Sequence, residues 1–208
     1  MRRRLFCSTA VLAAVWAGGA EAQTAPPMPV PPVVRVRGAV AGLSGETLTV
    51  DTRDGQKLEI AFPEKATVAS VKKTDLASIK PGDFIGTATR TGTDGTMQAI
   101  EVLVFPEAAR GTGEGSYPWD LEPGSTMTNG TVKGAVTAAK GRELSIGFKD
   151  SGNTVIVPEG TPIVTLAPAS RDDLKPGTKV FLVATKGADG KLTAMRATVG
   201  KDGVNPPM

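Results

Sequence analysis

The chain reads as an all-β protein: two tandem small β-barrels joined by a long, aromatic-containing linker. Three observations predict this. A segment of about seventy residues occurs twice with its turn residues in step. Within each copy, apolar residues alternate with polar ones at a period of two, between Gly, Pro and Asp punctuation. After the first 22 residues, no stretch keeps a helical period over three turns.

The repeat carries the domain division. Val36-Arg-Gly-Ala-Val-Ala-Gly42 matches Val132-Lys-Gly-Ala-Val-Thr-Ala138, which puts Gly38 over Gly134, 96 positions on. Pro63-Glu64 then falls on Pro158-Glu159, and Ile79-Lys-Pro-Gly-Asp83 on Leu174-Lys-Pro-Gly-Thr178, each 95 positions on. The lost residue lies at a turn, Arg53-Asp-Gly-Gln56 against Lys149-Asp-Ser-Gly152, after which Asp94-Gly95 meets Asp189-Gly190. The sequence therefore divides into a leader at 1–22, a Pro-rich tether at 23–32, repeat 1 at 33–105, a linker at 106–130, repeat 2 at 131–200 and a tail at 201–208.

Within a copy, Glu46-Thr-Leu-Thr-Val-Asp51, Lys57-Leu-Glu-Ile-Ala-Phe62 and Met97-Gln-Ala-Ile-Glu-Val-Leu-Val104 alternate, so one face of each strand is expected in a core and the other in water. Gly45, Asp54-Gly55 and Asp94-Gly95 suit hairpin turns. Leu/Ile-Lys-Pro-Gly follows a short turn: Pro81 blocks its continuation and Gly82 lets the chain swing into the next strand. Five or six strands per copy, each copy closed or nearly closed into a small barrel of its own, would leave few unpaired edges. Phe62, Phe84, Phe105, Phe148 and Phe181 lie in or beside apolar strands and read as core.

The opening residues have the grammar of a secretory signal: Arg2-Arg-Arg4, a short apolar run, and Ala20-Glu-Ala22 before Gln23. Cys7 precedes the apolar run, where a lipidated cysteine does not sit. Cleavage before Gln23 would remove three arginines and one glutamate, taking 24 basic and 21 acidic residues to 21 and 20. A net charge of +1 offers little to nucleic acid, and the apolar run is too short for a span, so a periplasmic or secreted protein without a membrane span is expected. The exported part would hold no cysteine and no histidine, which excludes disulfides, thiolate nucleophiles and imidazole bases or zinc ligands; no cofactor is expected. Pro26-Pro-Met-Pro-Val-Pro-Pro32 reads as an extended spacer.

Candidate function concentrates in the linker, whose Arg110-Gly-Thr-Gly-Glu-Gly-Ser-Tyr-Pro-Trp-Asp-Leu-Glu122 holds the single tyrosine and one of two tryptophans. Three readings stand. Tyr117 and Trp119 pack on a barrel; or they form a platform for a sugar ring or peptide, with Arg110, Asp120 and Glu122 supplying polar contacts; or the segment is a tether. Glu114, Asp120 and Glu122 do not have the spacing of a calcium loop. The methionines Met28, Met97, Met127, Met195 and Met208 are scattered, so a soft-metal site is not expected, and Asp172-Asp173 reads as a turn.

The repeat, with Gly38-Ala-Val40, Leu48-Thr-Val50, Asp54-Gly55 and Ile79-Lys-Pro-Gly-Asp83, resembles the bacterial domain family DUF5666, which implies small OB-like barrels. Arg110-Gly-Thr-Gly-Glu-Gly115, Pro118-Trp-Asp120 and Ser125-Thr-Met-Thr-Asn129 resemble the linker of a subgroup of exported alphaproteobacterial proteins with the same two-repeat layout. A histidine is common there at the place of Ser116 or Tyr117, and its absence here counts against a role needing imidazole. Some of those proteins carry the name of a metal-transport permease, which a chain with no span after its leader does not fit. The expectation is thus an exported, non-enzymatic binding or interaction module whose partner is an envelope protein or small ligand. The alternatives are an envelope accessory protein in metal handling and, third, a carboxylate-dependent hydrolase.

Overall fold

A computed structural model describes residues 32–138 and 141–206; the expected leader, the tether up to residue 31 and the last two residues of the tail lie outside the described residues. The chain is all-β. Its strands are β1 (Val33–Ser44), β2 (Thr47–Thr52), β3 (Lys57–Ala61), β4 (Thr67–Lys73), β5 (Phe84–Thr91), β6 (Met97–Val104), β7 (Gly115–Pro118), β8 (Thr126–Ala138), β9 (Gly141–Phe148), β10 (Ser151–Ile156), β11 (Ile163–Pro168), β12 (Lys179–Lys186) and β13 (Leu192–Val199). The helical pieces among the described residues are three single 3-10 turns, Leu76–Ser78, Glu107–Ala109 and Arg171–Asp173. Among the described residues no helix is long and apolar enough to cross a membrane. The Lys-Pro-Gly turns behave as their chemistry requires: Gly82 and Gly177 sit at φ +96 and +87, a region costly for any residue with a Cβ.

Pairing does not follow the two copies. β1 pairs with β2 and β2 with β3, but the other edge of β1 takes β12 from the second copy, and β13 closes the circuit onto β3. The second circuit is the mirror of this arrangement in sequence: β8, β9 and β10 of the second copy close with β5 and β6 of the first. The cores are mixed accordingly. Val40, Leu48, Val50 and Ile60 pack with Val180, Leu182, Ala194 and Val199. Ile85, Ala99 and Val102 pack with Val132, Leu144, Ile146 and Val155. The expectation that each copy closes on its own strands is therefore corrected: the copies exchange their last two strands. The pattern permits it because equivalent inward positions, such as Ile85 and Val180 or Ala99 and Ala194, are similar in shape and polarity, so either partner fills the same core.

The two circuits meet through β4 and β11, antiparallel, with Val71 opposite Leu166. These are the same position of the two copies, 95 residues apart, so the pair lies on a pseudo-twofold axis, and the contact is self-complementary in the manner of a symmetric dimer. Val71, Leu103 and Val164 make a small third core there, joined by Phe105, Leu166 and Val204. Val204 brings in the tail, whose residues Lys201 and Val204 form a β-bridge.

The symmetry also corrects the alignment of the first strands. The β1 ladder shifts register between Val40 and Gly42, and the β8 ladder between Val132 and Gly134. Val40 exchanges backbone hydrogen bonds with Gly177 and Thr178, as Val132 does with Gly82 and Asp83. Gly38 lies so close to the Asp51 carbonyl that a Cβ would collide with it, and Gly130 stands in the same relation to Gly147. Gly38 thus corresponds to Gly130, 92 positions on, and not to Gly134; the hairpin after the strand is longer by four residues in the second copy. The expected linker at 106–130 accordingly contains β7 and the first five residues of β8.

Strand exchange has a direct test. With a protease sequence inserted between the exposed residues Gly111 and Thr112, the cut protein is expected to elute as one species and to separate into two fragments only in denaturant. Two folded fragments that separate under native conditions would mean that each copy keeps its own strands.

Candidate functional site

The segment after residue 110 is ordered by its own backbone chemistry. β7 lies antiparallel on the start of β8, with Gly115 opposite Asn129 and Tyr117 opposite Met127. The turn that follows is closed by Ser125. Its hydroxyl donates to the carbonyls of Glu122 (2.7 Å) and Trp119 (3.1 Å), and the Trp119 N–H donates to the Ser125 carbonyl (2.8 Å). Gly124, at φ +75, makes the reversal possible. Pro118 and Pro123 restrict the chain on either side, so less entropy is lost in holding Trp119 in place.

This turn aims Trp119 at the first circuit. The Arg35 guanidinium lies 4.0 Å from the centre of the indole and that of Arg37 lies 5.6 Å away, while Phe181 and Tyr117 pack beside it at 6.4 and 6.1 Å between ring centres. Arg37 also stacks on Phe181 at 5.1 Å. Asp120 closes the arrangement, accepting from Arg37 Nη2 at 2.8 Å with Arg35 Nη1 at 3.8 Å. Cation–π contacts of this kind contribute about 0.5 to 2 kcal/mol depending on desolvation. The stack therefore fastens the linker, which leaves the second circuit, to strands of the first.

The five residues expected to bind a ligand divide between two places. Tyr117, Trp119 and Asp120 meet in the stack described above. The Tyr117 hydroxyl accepts from Asn129 Nδ2 at 3.1 Å, and burial pushes its phenol above the ordinary value, with Arg35 opposing. Glu122 sits farther along, 3.9 Å from Arg90. Arg110 is apart from both, held by a two-pronged contact to Glu107 (2.6 and 2.7 Å) and donating to the Gly82 carbonyl (2.9 Å). The Phe181 ring, read as core, is buried on the outer side of its strand, in the stack.

Beside the stack runs a groove of about 360 Å³ lined by Val34, Arg35, Arg37, Arg53, Asp54, Gln56, Leu58, Asp120 and Leu121. Sequence reasoning missed its arginines, because Arg35-Val-Arg37 looks like the wet face of an alternating strand. Arg37 is 9% exposed, and its Nε is buried without a partner among the described residues.

It also missed Glu101. The β5–β6 ladder shifts register between Ala88 and Thr89, which breaks the alternation and leaves Glu101 on the outer face of β6 with Leu103, facing the other circuit instead of water. Glu101 is 1% exposed and neither carboxyl oxygen has a hydrogen-bond partner among the described residues. Burial pushes its carboxyl up to about 8, with Arg37 and Arg53 drawing it down. Desolvation wins because both arginines are also spent elsewhere or partly solvated, while the carboxyl has no donor of its own. Among the described residues no group of three His, Cys, Asp or Glu side chains is placed to hold a metal ion.

Two outcomes are expected. Trp119→Ala should cost about 2 kcal/mol in urea unfolding, below the range for a fully buried ring because the indole is only half-buried, and Trp119→Phe should cost less, since the buried indole Nε1 has no acceptor among the described residues. Glu101 should cost no stability below the ordinary carboxyl value of 4.5, where it is protonated folded or unfolded, and should lower wild-type stability progressively as pH rises toward about 8, where the folded state finally loses its proton. The loss is on the order of 4 kcal/mol and should be absent in Glu101→Gln, so that the variant gains on wild type with rising pH; parallel pH profiles would refute the raised carboxyl.

No known protein family, curated protein or solved structure matches the chain.

Proposed function

We infer that the chain is an exported binding or interaction module of the cell envelope, without catalytic chemistry of its own, built from two small OB-like barrels that exchange strands. The barrel reading is supported by the two five-strand circuits, each closed by one parallel pair, β3 with β13 and β10 with β6. The observation that carries the functional reading is the open groove along Val34–Arg37, where three arginines and an apolar floor converge beside a strand edge. The aromatic stack supports the same reading by a different route: Trp119 and Asp120 are engaged with Arg35 and Arg37, so they shape the groove wall. A carboxylate-dependent hydrolase needs two acids across a cleft, whereas the buried Glu101 is coupled to Arg37 and Arg53.

The exported form is expected to have an intact mass beginning at Gln23. A photo-reactive residue in place of Gln56, exposed in the groove, should then cross-link a partner in the native envelope that the same residue at Lys186, exposed on β12, does not reach. Identical products from both positions, or none beyond the protein itself, would count against a binding module acting through this groove.

A further inference from the structure

The pseudo-twofold axis gives the groove an internal template. β7 pairs with the outer edge of β8 at Met127 and Asn129, and Trp119 bonds that same edge at Ser125. Under the 92-residue correspondence these three positions are Arg35, Arg37 and Val33 of β1. There β12 occupies one edge, from Val33 opposite Thr185 to Ala39 opposite Lys179, while β2 begins on the other edge only at Gly38. The Arg37 carbonyl accepts from Arg53 N–H, but Arg35 and Val33, which alternate in direction with Val34 and Val36, turn their backbone groups to an edge that no described strand covers. That edge is the wall of the groove.

We propose that this edge of β1 receives an extended acidic peptide segment of a partner protein, which adds as a strand beside Val33–Arg37 as β7 does beside β8. This deepens the binding-module reading and rests on it. The backbone of Arg35 would supply one donor and one acceptor, and Arg37 a second donor, as in strand addition generally. Residues of the incoming strand directly opposite Arg35 and Arg37 share their face, so an acid opposite Arg35 meets its partly exposed guanidinium, with Arg53 at the end of the groove, while Arg37 stays with Asp120; a carboxylate suits the guanidinium fork. Lining charge favours this occupant, since the groove sets three arginines against Asp54 and Asp120. A second copy added edge to edge would bring Arg35 and Arg37 of both chains together, which like-charge repulsion opposes. The chain's own preceding residues are a poor strand: Pro26, Pro27, Pro29, Pro31 and Pro32 have no N–H to donate.

The test uses the exported protein and three capped heptapeptides: glutamate alternating with valine, lysine alternating with valine, and the glutamate peptide N-methylated at alternate amides. Calorimetric titration is combined with amide hydrogen exchange. The glutamate peptide should bind, the other two should bind at least tenfold more weakly, and the Arg35 amide should become protected on binding. Arg53→Glu should weaken the glutamate peptide at least tenfold; if that variant does not fold, the N-methylated peptide still decides on the wild type. Equal binding of the N-methylated peptide would reduce the effect to charge attraction and overturn strand addition. Protection of Arg35 before any peptide is added would mean that the edge is already filled, by a second copy if it depends on concentration, and would overturn the proposal too. No binding of the glutamate peptide sinks the proposal; the binding-module reading falls with it only if Gln56 also cross-links nothing.

Discussion

The structure depends on one contact, the antiparallel pairing of β4 with β11 about Val71 and Leu166. Because the pair joins the same position of two copies, the pairing of the repeated strands on one side recurs on the other: β4 lies parallel to β13 as β11 lies parallel to β6. Each copy therefore gives its first three strands to one circuit and its last two to the other. Stability gained in either core is shared between the copies, so neither core forms without both. This also explains where the linker goes. It leaves β6 and returns as β8, and both belong to the second circuit, flanking β5, so the segment is not a bridge between two separate bodies. Its length serves to lay β7 on β8 and to send Trp119 across to Arg35.

Between the circuits the energetics are electrostatic as much as apolar. Arg37 is almost wholly buried, stacked on Phe181, and committed at one nitrogen to the half-exposed Asp120. An ion pair with one partner in water gains little by itself. Its value here is positional, because burial of the guanidinium holds Asp120, and with it the turn that carries Trp119. Glu101 is the counterweight. A protonated carboxyl among arginines is tolerated because its ionised form would lose more hydration than Arg37 and Arg53 return to it. Thr87 braces the same strand, donating from Oγ1 to the Glu101 carbonyl at 2.7 Å.

Much of this was legible in the sequence. Alternation in Thr47–Thr52 and Lys57–Ala61 placed Leu48, Val50 and Ile60 in a core, and the Pro-Gly and Asp-Gly punctuation marked the turns. Strand exchange was not legible, because a repeat presents two chemically equivalent partners and local pattern does not choose between them. The offset of 92 was hidden by a hairpin longer by four residues, since Val36-Arg-Gly-Ala-Val40 and Val132-Lys-Gly-Ala-Val136 differ only by Arg for Lys while the bulges and close approaches agree four positions away. Glu101 was hidden by a register shift, which puts an acid where strict alternation would put a solvated side chain. Of the linker residues, Tyr117, Trp119 and Asp120 were singled out from composition and do converge; Arg110 was grouped with them by sequence proximity alone, and the fold sends it to Glu107 instead.

What distinguishes the two halves is the way each treats one strand edge. On β8 the edge at Met127 and Asn129 is paired by β7, and Asn129 Nδ2 is saturated by the carbonyls of Thr112 and Gly113 and by Tyr117. On β1 the corresponding positions are Arg35 and Arg37. An open edge beside apolar residues invites indiscriminate pairing, and charge on the edge is the common remedy. Two arginines there do more than repel copies of the chain, because each is also a stacking partner of Trp119 and so is held in a fixed direction. A fixed guanidinium loses less entropy on meeting a carboxylate than a free one does. Duplication thus supplies the same scaffold twice, and the residues that differ leave one edge closed by β7 and the other lined by arginines and uncovered by any described strand.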